Sequence, residues 1–351
     1  MKSLLRLLLK TQHQQNRSGQ AQTEKGMTLV ELLVGAIMAF LVITPMLAFV
    51  VDMLNTDRRE QVKSNTEQDI QAAVDFIAQD LSQAIYIYDN AGITAIKSNL
   101  PAPTSPEVGT PILVFWKRKL VKNAVSVDTN PATRVPPKDC NTTPNKPCND
   151  TYVRSLIAYY QIKDDTAGIW CQPQGSPCPT RIVRYEIHEG IVKDSTQTDP
   201  ATRYYSGGEV NNQSQEVSPG FNPIFDFSQP TQNVTQGPPF PQPEVLVNYI
   251  DHTVVPPSDP QECEKALGNP TVTVPGQLAP VAVLEPTLRV SDPDKNSFYA
   301  CVDTARNIAR VTIRGNSLRR LQPKDAEFKA TSSAYFPTAS VQVQGRGALG
   351  Q

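Results

Sequence analysis

A single acidic residue inside a long apolar segment is the first feature of this sequence that suggests chemistry. Residues 27–51 carry one charged side chain, Glu31. A carboxylate at the centre of a membrane-spanning helix costs about 3 kcal/mol on insertion scales and calls for a cationic partner. A chain cut just before Met27 would expose a new α-amino group close to Glu31. In a chain cut in this way, the amine of one copy could pair with the glutamate of a neighbouring copy.

Six cysteines form the second chemical feature, and all of them follow the apolar segment. An even number in an exported domain predicts three disulfides. Local spacing favours two small loops, with one long-range pair left over, although the sequence alone does not fix the connectivity. A metal site is the alternative, but there is no CxxC motif and no histidine lies near a cysteine. The residues are Cys140, Cys148, Cys171, Cys178, Cys263 and Cys301.

Catalytic, cofactor and metal motifs are otherwise missing from the sequence. There is no nucleophile elbow, phosphate-binding loop, HExxH pair or dinucleotide fingerprint. His188 and His252 fit structural positions better than catalytic ones. Asp292 and Asp294 have a spacing that can bind calcium, but the segment lacks the glycine and glutamate of an EF-hand loop, so a turn is the default interpretation. We expect no enzyme activity, cofactor or bound metal.

One long helix must position Glu31. The apolar segment 27–51 has the length of a membrane span, and no glycine or proline follows Asp52 until Gly92. A helical stripe of Ile70, Val74, Ile77, Leu81 and Ile85 predicts that an amphipathic half continues over 52–89. The opposite face, which includes Asp80, suits solvent. Pro45 removes one backbone hydrogen bond and is expected to kink the helix.

The rest of the chain predicts a β-rich head, so the expected class is α+β. Strand-like runs occur at 112–116, 152–162, 180–189, 298–302 and 308–315, and the second and third are expected to form a hairpin. We place the head at 90–340, with a proline-rich surface insert around 206–243 and a flexible tail at 341–351. Thirty-one prolines in 351 residues agree with long loops, and a net charge of -1 argues against a nucleic-acid binder.

The segment "KGMTLVELLV" resembles the prepilin cleavage and methylation motif of type IV pilins and type II secretion pseudopilins. Leader, glycine, apolar first residue, glutamate and long apolar helix occur in the family's order. The resemblance implies a basic leader at 1–26 removed after Gly26, N-methylation of Met27 and filament assembly guided by Glu31. The leader is long for the family, Met27 replaces the commoner phenylalanine, and Pro45 only nearly matches the family's helix-disrupting proline.

The resemblance also implies partners and a location. These are a prepilin peptidase, other pilins or pseudopilins contacted through the helix, and an inner-membrane assembly platform. The chain would cross the inner (cytoplasmic) membrane once with its head in the periplasm, as the basic leader also indicates, and would then enter a pilus or pseudopilus. The large head favours a minor subunit. The chain further looks like the large minor pseudopilins of hormogonium polysaccharide secretion in filamentous cyanobacteria, which implies exopolysaccharide secretion and gliding motility.

Two alternatives remain open at the level of sequence. One is a minor pilin of a true type IV pilus, acting in motility or adhesion. The other belongs to a different class: an uncleaved, single-span membrane protein whose extracytoplasmic domain binds a ligand. A membrane-anchored enzyme acting on envelope glycans is disfavoured because no paired acids or nucleophile group stand out.

Overall fold

The structure is a computed structural model that describes most of the chain. The described residues are 28–101, 103, 107–128, 130, 133–142, 146–163, 169–210, 215–224, 226, 229–235, 242–254, 259–276, 279–292 and 295–346. The chain divides into two compact units, with the boundary between Arg58 and Arg59. The predicted leader 1–26 and Met27 lie outside the described residues.

A long helix and two antiparallel sheets make up most of the described structure, which is of the α+β class. The helices are α1 Leu29–Leu81, α2 Asn90–Ile96, α3 Pro200–Arg203, α4 Glu262–Ala266, α5 Glu285–Leu288 and α6 Ser317–Leu321. The strands are β1 Ala84–Ile87, β2 Val108–Ser126, β3 Cys148–Lys163, β4 Thr180–His188, β5 Glu244–Ile250, β6 Thr271–Val272, β7 Val281–Ala282, β8 Arg289–Asp292, β9 Lys295–Asp303, β10 Ile308–Arg314 and β11 Thr338–Gln344.

Both larger sheets join strands that are neighbours in sequence. The first has the order β1-β2-β3-β4-β5, and the second has the order β11-β10-β9-β8. All pairs within them are antiparallel, and the predicted hairpin of β3 and β4 is confirmed with a continuous register. Antiparallel neighbours need no crossover connection, so this order fits strands that follow one another along the chain. Strands β6 and β7 form a separate two-stranded ribbon.

The C-terminal part of α1 belongs to the core of the second unit. Its buried residues are Thr66, Ile70, Ala73, Val74, Ile77, Asp80 and Leu81. The apolar residues among them share one cluster with residues of both larger sheets, such as Phe115 of β2 and Val311 of β10. The predicted stripe of Ile70, Val74, Ile77 and Leu81 is therefore confirmed as the packing face, as expected for an amphipathic helix.

The helix ends earlier than the sequence predicted. It stops at Leu81, and Ala84–Ile87 forms β1, which pairs with residues 115–117 of β2. Ile85 therefore belongs to a strand and does not extend the helical stripe. The physical reason is that β-branched and aromatic residues in "AIYI" suit a strand once β2 offers a hydrogen-bonding edge.

Two further boundaries differ from the sequence prediction. Strand β11 runs to Gln344 with every residue paired to β10, so a flexible tail does not begin at 341. Within the stretch 206–243, Phe221 and Val234 bridge to each other and are buried, and the Phe221 ring packs edge-on against Trp116 at 5.8 Å. The described part of that stretch is thus not only a surface excursion, because these apolar side chains cover the sheet.

Candidate functional site

Glu31 lies in the first turn of α1, where it forms a capping box with Thr28. The Thr28 backbone nitrogen donates to Glu31 Oε2 at 3.2 Å, and the Glu31 nitrogen donates to Thr28 Oγ1 at 3.3 Å. The Thr28 hydroxyl also donates to Glu31 Oε2 at 3.2 Å. Two of the unpaired N–H groups at the helix start are satisfied in this way. The carboxylate also lies at the positive end of the helix dipole, which favours an anion.

This capping box has a signature in the sequence that the prediction above did not use. Thr28 followed three residues later by Glu31, just ahead of an apolar run, is the pattern of a helix N-terminus. The carboxylate therefore has hydrogen-bond partners within its own chain. The predicted pairing with the α-amino group of a neighbouring copy involves Met27, which lies outside the described residues, as does Gly26.

The first part of α1 exposes nearly all of its large apolar side chains. Leu29 is 84% exposed, Phe40 70% and Phe49 70%. An 18-residue window of the helix has a mean hydropathy of 2.5 and no burial within the chain, so the helix is long and apolar enough to cross a membrane. Apolar surfaces of this extent are typical of regions that contact lipid or another protein.

Pro45 lies inside α1, and the helix is continuous across it. The neighbouring Thr44 hydroxyl donates to the carbonyl oxygen of Phe40, four residues earlier, at 2.8 Å. This bond is common for a threonine inside a helix. The kink at Pro45 stays a prediction.

A buried ion cluster centred on Asp80 is the main feature of the second unit that sequence reasoning missed. Asp80 Oδ1 accepts from Lys117 Nζ at 2.6 Å, and Oδ2 accepts from Tyr159 OH at 2.7 Å and from Arg184 Nε at 2.8 Å. Asp80 was predicted to face solvent, and that prediction is wrong: the residue is buried. The last turn of α1 is thereby joined to β2, β3 and β4.

Charge, not burial, controls the protonation state of Asp80. Burial by itself raises the pKa of Asp80, but the charge of Arg184 and the bond from Lys117 outweigh it and hold the pKa below its ordinary value. Burial, and then the adjacent Asp80 charge, raise the pKa of Tyr159 well above its ordinary value. Asp80 is therefore an anion and Tyr159 a neutral donor near neutral pH.

Glu186 extends this cluster along β4. It accepts a salt bridge from Lys119 at 2.9 Å and another from Arg184 at 3.0 Å, and Ser155 donates to it at 2.8 Å. Burial opposes the charged form, yet Lys119 and Arg184 together lower the pKa of Glu186 to about 2. The charges of this cluster are paired with one another, so the cluster connects the helix to the sheet.

Three disulfides join the two pairs that the local spacing favoured and the long-range pair that was left over. They are Cys140–Cys148, Cys171–Cys178 and Cys263–Cys301. The Cys171–Cys178 loop is also held by Arg319, whose guanidinium donates to the carbonyl oxygens of Pro177 and Gly175, each at 3.0 Å. A wholly buried arginine therefore ties this loop to α6.

The remaining candidate residues do not come together. His188 and His252 are both buried, and burial lowers the pKa of each. Asp292 accepts from the Thr110 hydroxyl at 2.9 Å, and Asp294 lies outside the described residues. Among the residues that the structure describes, no group of three or more His, Cys, Asp and Glu side chains is placed to hold a metal ion.

The head also contains a surface cleft with a volume of about 570 Å³. Two of the residues that line the cleft, Lys193 and Glu209, form a salt bridge at 2.8 Å. The bond from Lys193 and a bond from the Ser206 backbone lower the pKa of Glu209 to about 2. The Lys193 ammonium also lies 5.5 Å from the centre of the Tyr205 ring. The lining residues are Arg134, Pro136, Lys193, Asp194, Ser195, Tyr205 and Glu209.

Comparisons with protein-family models, with curated proteins and with solved structures found no match to this chain. The fold and the site thus define an α+β protein with a helix capable of spanning a membrane and a disulfide-bonded, β-rich head.

Proposed function

We propose that this chain is a minor pseudopilin, a non-enzymatic subunit of a type IV pilus-like filament. In this proposal a prepilin peptidase removes residues 1–26 after Gly26, and Met27 is methylated. The chain is held in the inner membrane with its head in the periplasm, and an assembly platform then moves it into the filament. The filament serves exopolysaccharide secretion and the gliding motility linked to it.

The single observation that carries the proposal is the contrast between Glu31 and the residues after it. Glu31 is the only charged residue from Leu29 to Val51, and the large apolar side chains around it are exposed in the part of the chain that the structure describes. Capping accounts for the hydrogen bonds of Glu31 but does not neutralise its charge, which an intramembrane carboxylate calls for. A filament of parallel helices provides both the apolar neighbours and a cation that fixes the register of one subunit against the next.

The capping box makes a sharp test possible, because the cap and the charge can be removed separately. Glu31→Gln keeps a side chain that can cap but removes the charge, whereas Thr28→Ala keeps the charge but removes the hydroxyl. We expect Glu31→Gln to insert into the membrane yet be lost from sheared filaments, and Thr28→Ala to assemble near the wild-type level. Immunoblots of membrane and sheared fractions would measure both.

Normal amounts of Glu31→Gln in sheared filaments would remove the proposed role of the charge. Loss of Thr28→Ala together with normal assembly of Glu31→Gln would instead assign Glu31 to capping alone. N-terminal sequencing of the membrane-extracted protein tests processing directly, with a methylated Met27 as the expected first residue. Gly26→Ala should block this cut and leave the longer band.

A second candidate is an uncleaved single-span protein with an extracytoplasmic binding head. Two observations favour it: the capping box gives Glu31 a role that needs no second copy, and the head has the polar cleft beside Tyr205. Recovery of the working protein with residues 1–26 intact would support this candidate and overturn the pseudopilin proposal.

A further inference from the structure

The two larger sheets have four edge strands, and three of these carry features that discourage pairing with another chain. Strands β1 and β8 have only four residues each, and each has a register shift against its neighbour. Strand β5 contains Glu244 and pairs with β4 through two register shifts. Short, bulged or charged edges are the usual protection against edge-to-edge association.

Strand β11 is the one of the four edges that shows no such protection among the described residues. Its seven residues, "TASVQVQ", include no charge and no proline, and all of them pair with β10 without a register shift. A regular, uncharged edge of this length is a template for another strand. Its pairing groups can be assigned from the bonds at both ends of the strand.

The backbone bonds that flank β11 show which residues face the open edge. The Gly315 nitrogen donates to the Pro337 carbonyl oxygen at 2.8 Å, and the Gly345 nitrogen donates to the Asn307 carbonyl oxygen at 2.9 Å. Because hydrogen-bonding direction alternates along an antiparallel strand, the odd-numbered residues bond to β10. The even-numbered residues direct their N–H and C=O groups to the open edge. These are Thr338, Ser340, Gln342 and Gln344, all exposed and with no backbone bond to those groups from any described residue.

The side chains of β11 are complementary to those of a second, antiparallel β11. With a two-fold axis through Val341, Thr338 lies opposite the second copy's Gln344, and Ser340 opposite its Gln342. Ala339 then faces Val343, and Val341 faces Val341. Polar side chains meet polar ones on the exposed face, apolar meet apolar on the core side, and no like charges face each other. This register forms about eight backbone hydrogen bonds between the copies.

We propose that β11 is an interface between two copies of this chain, which pair antiparallel through it to join their four-stranded sheets. The inference goes beyond the proposed function. It needs the membrane anchor that both candidate functions share, and it does not need cleavage after Gly26 or assembly into a filament. A strand pair buries less than the roughly 800 Å² per partner of a standard stable interface. The pairing is therefore concentration-dependent and is best captured by cross-linking in the membrane, where both copies are confined.

The test uses two tagged full-length copies, one with Thr338→Cys and the other with Gln344→Cys, expressed together and oxidised in membranes. All six native cysteines are in disulfides, so each added thiol is the only free one in its chain. Thr338 and Gln344 are directly opposite in the proposed register, about 5.5 Å apart between Cα atoms, which suits a disulfide. Two Thr338→Cys copies would place their thiols six residues apart along the strand, about 20 Å, and serve as the control.

We expect the mixed pair to cross-link about tenfold more than either variant paired with itself, because only the mixed pair meets disulfide geometry. Equal yields for mixed and identical pairs would overturn the register. Cross-linking to a different envelope protein, with none to a second copy, would overturn the self-pairing.

A charge swap at the two central positions gives a second, independent readout. Adding Ser340→Lys and Gln342→Lys to both reporter copies places lysines opposite lysines and should lower the yield about tenfold. Replacing the same two residues by glutamate in one copy should restore the yield, because each lysine then faces a glutamate. The lysine and glutamate substitutions fall at two exposed positions, but Gln342 lies opposite Arg310 of β10, so a thermal melt of each variant checks that the head stays folded. An unchanged yield with lysine in both copies would also overturn the proposal.

Discussion

The two parts of α1 are continuous in sequence but differ in what surrounds them. In the first unit, Ile43 is 52% exposed and no large side chain of 29–54 is buried. In the second, Ile77 is 0% exposed and the helix contributes seven buried residues to the head. The head therefore buries one face of the second part of the helix. Among the described residues, nothing buries the first part. Stability of the head should be sensitive to substitutions in one part and insensitive to those in the other.

The largest expected effect comes from removing Asp80. Asp80→Ala leaves Lys117 and Arg184 buried without their shared anion, and breaking such a group typically costs about 3–5 kcal/mol. Asp69→Ala is the matched control, because Asp69 lies on the same helix and pairs with Arg320 at the surface, where loss costs about 0–1 kcal/mol. Urea unfolding of the full chain in detergent measures both. Equal free energies of unfolding for the two variants would contradict the role of the cluster.

Two isoleucines of α1 test the contrast directly. Ile77→Ala should lower the free energy of unfolding of the head by about 2–5 kcal/mol, because it leaves a cavity among buried side chains. Ile43→Ala removes the same atoms from an exposed position and should change it by less than about 0.5 kcal/mol. Denaturant midpoints followed by tryptophan fluorescence suit this comparison, since Trp116 is buried in the head. A similar loss for both variants would show that the head also depends on the first part of the helix.

Low pH should weaken the ion cluster of Asp80 and Glu186, which connects the second part of α1 to the first sheet. The folded pKa of Glu186 is about 2 against an ordinary value of 4.5, so its stabilisation is complete above about pH 4.5 and is lost as pH falls toward 2. The contribution is about 3 kcal/mol from this shift. Unfolding midpoints across that range should fall less steeply for Glu186→Gln than for the unsubstituted chain. Parallel curves would argue against the ion pairs with Lys119 and Arg184.

The smallest expected effect concerns a close approach between α1 and the end of β10. A Cβ atom at Gly315 would lie 2.9 Å from Thr66 Cγ2 and 3.2 Å from Ile70 Cγ2. Gly315→Ala should therefore push the helix away and cost about 1–3 kcal/mol. Gly208→Ala, where no atom lies within 4 Å of the added carbon, is the control. A melting temperature unchanged by Gly315→Ala would mean that the helix packs more loosely than the structure indicates.

Most of the local structure could be predicted from the sequence. The apolar segment, the stripe Ile70, Val74, Ile77 and Leu81, and the hairpin of β3 and β4 all follow from the spacing of apolar residues. The capping box was also readable from Thr28 and Glu31 but was overlooked. The start of β1 was not predicted, because no glycine or proline marks the end of the helix and the strand forms only where β2 is available to pair with it.

The sequence by itself determined which segments are apolar and how the cysteines could pair, because both depend on residue type and short spacing. Only the tertiary structure decided the role of Asp80, whose partners Lys117, Tyr159 and Arg184 are 37, 79 and 104 residues away along the chain. It also decided which strand is left as an open edge, since that depends on the order of strands in a sheet. The apolar residues that become buried can be predicted from their local spacing. The role of a buried charge or of an edge strand depends instead on which groups, distant in sequence, lie next to it in the folded chain.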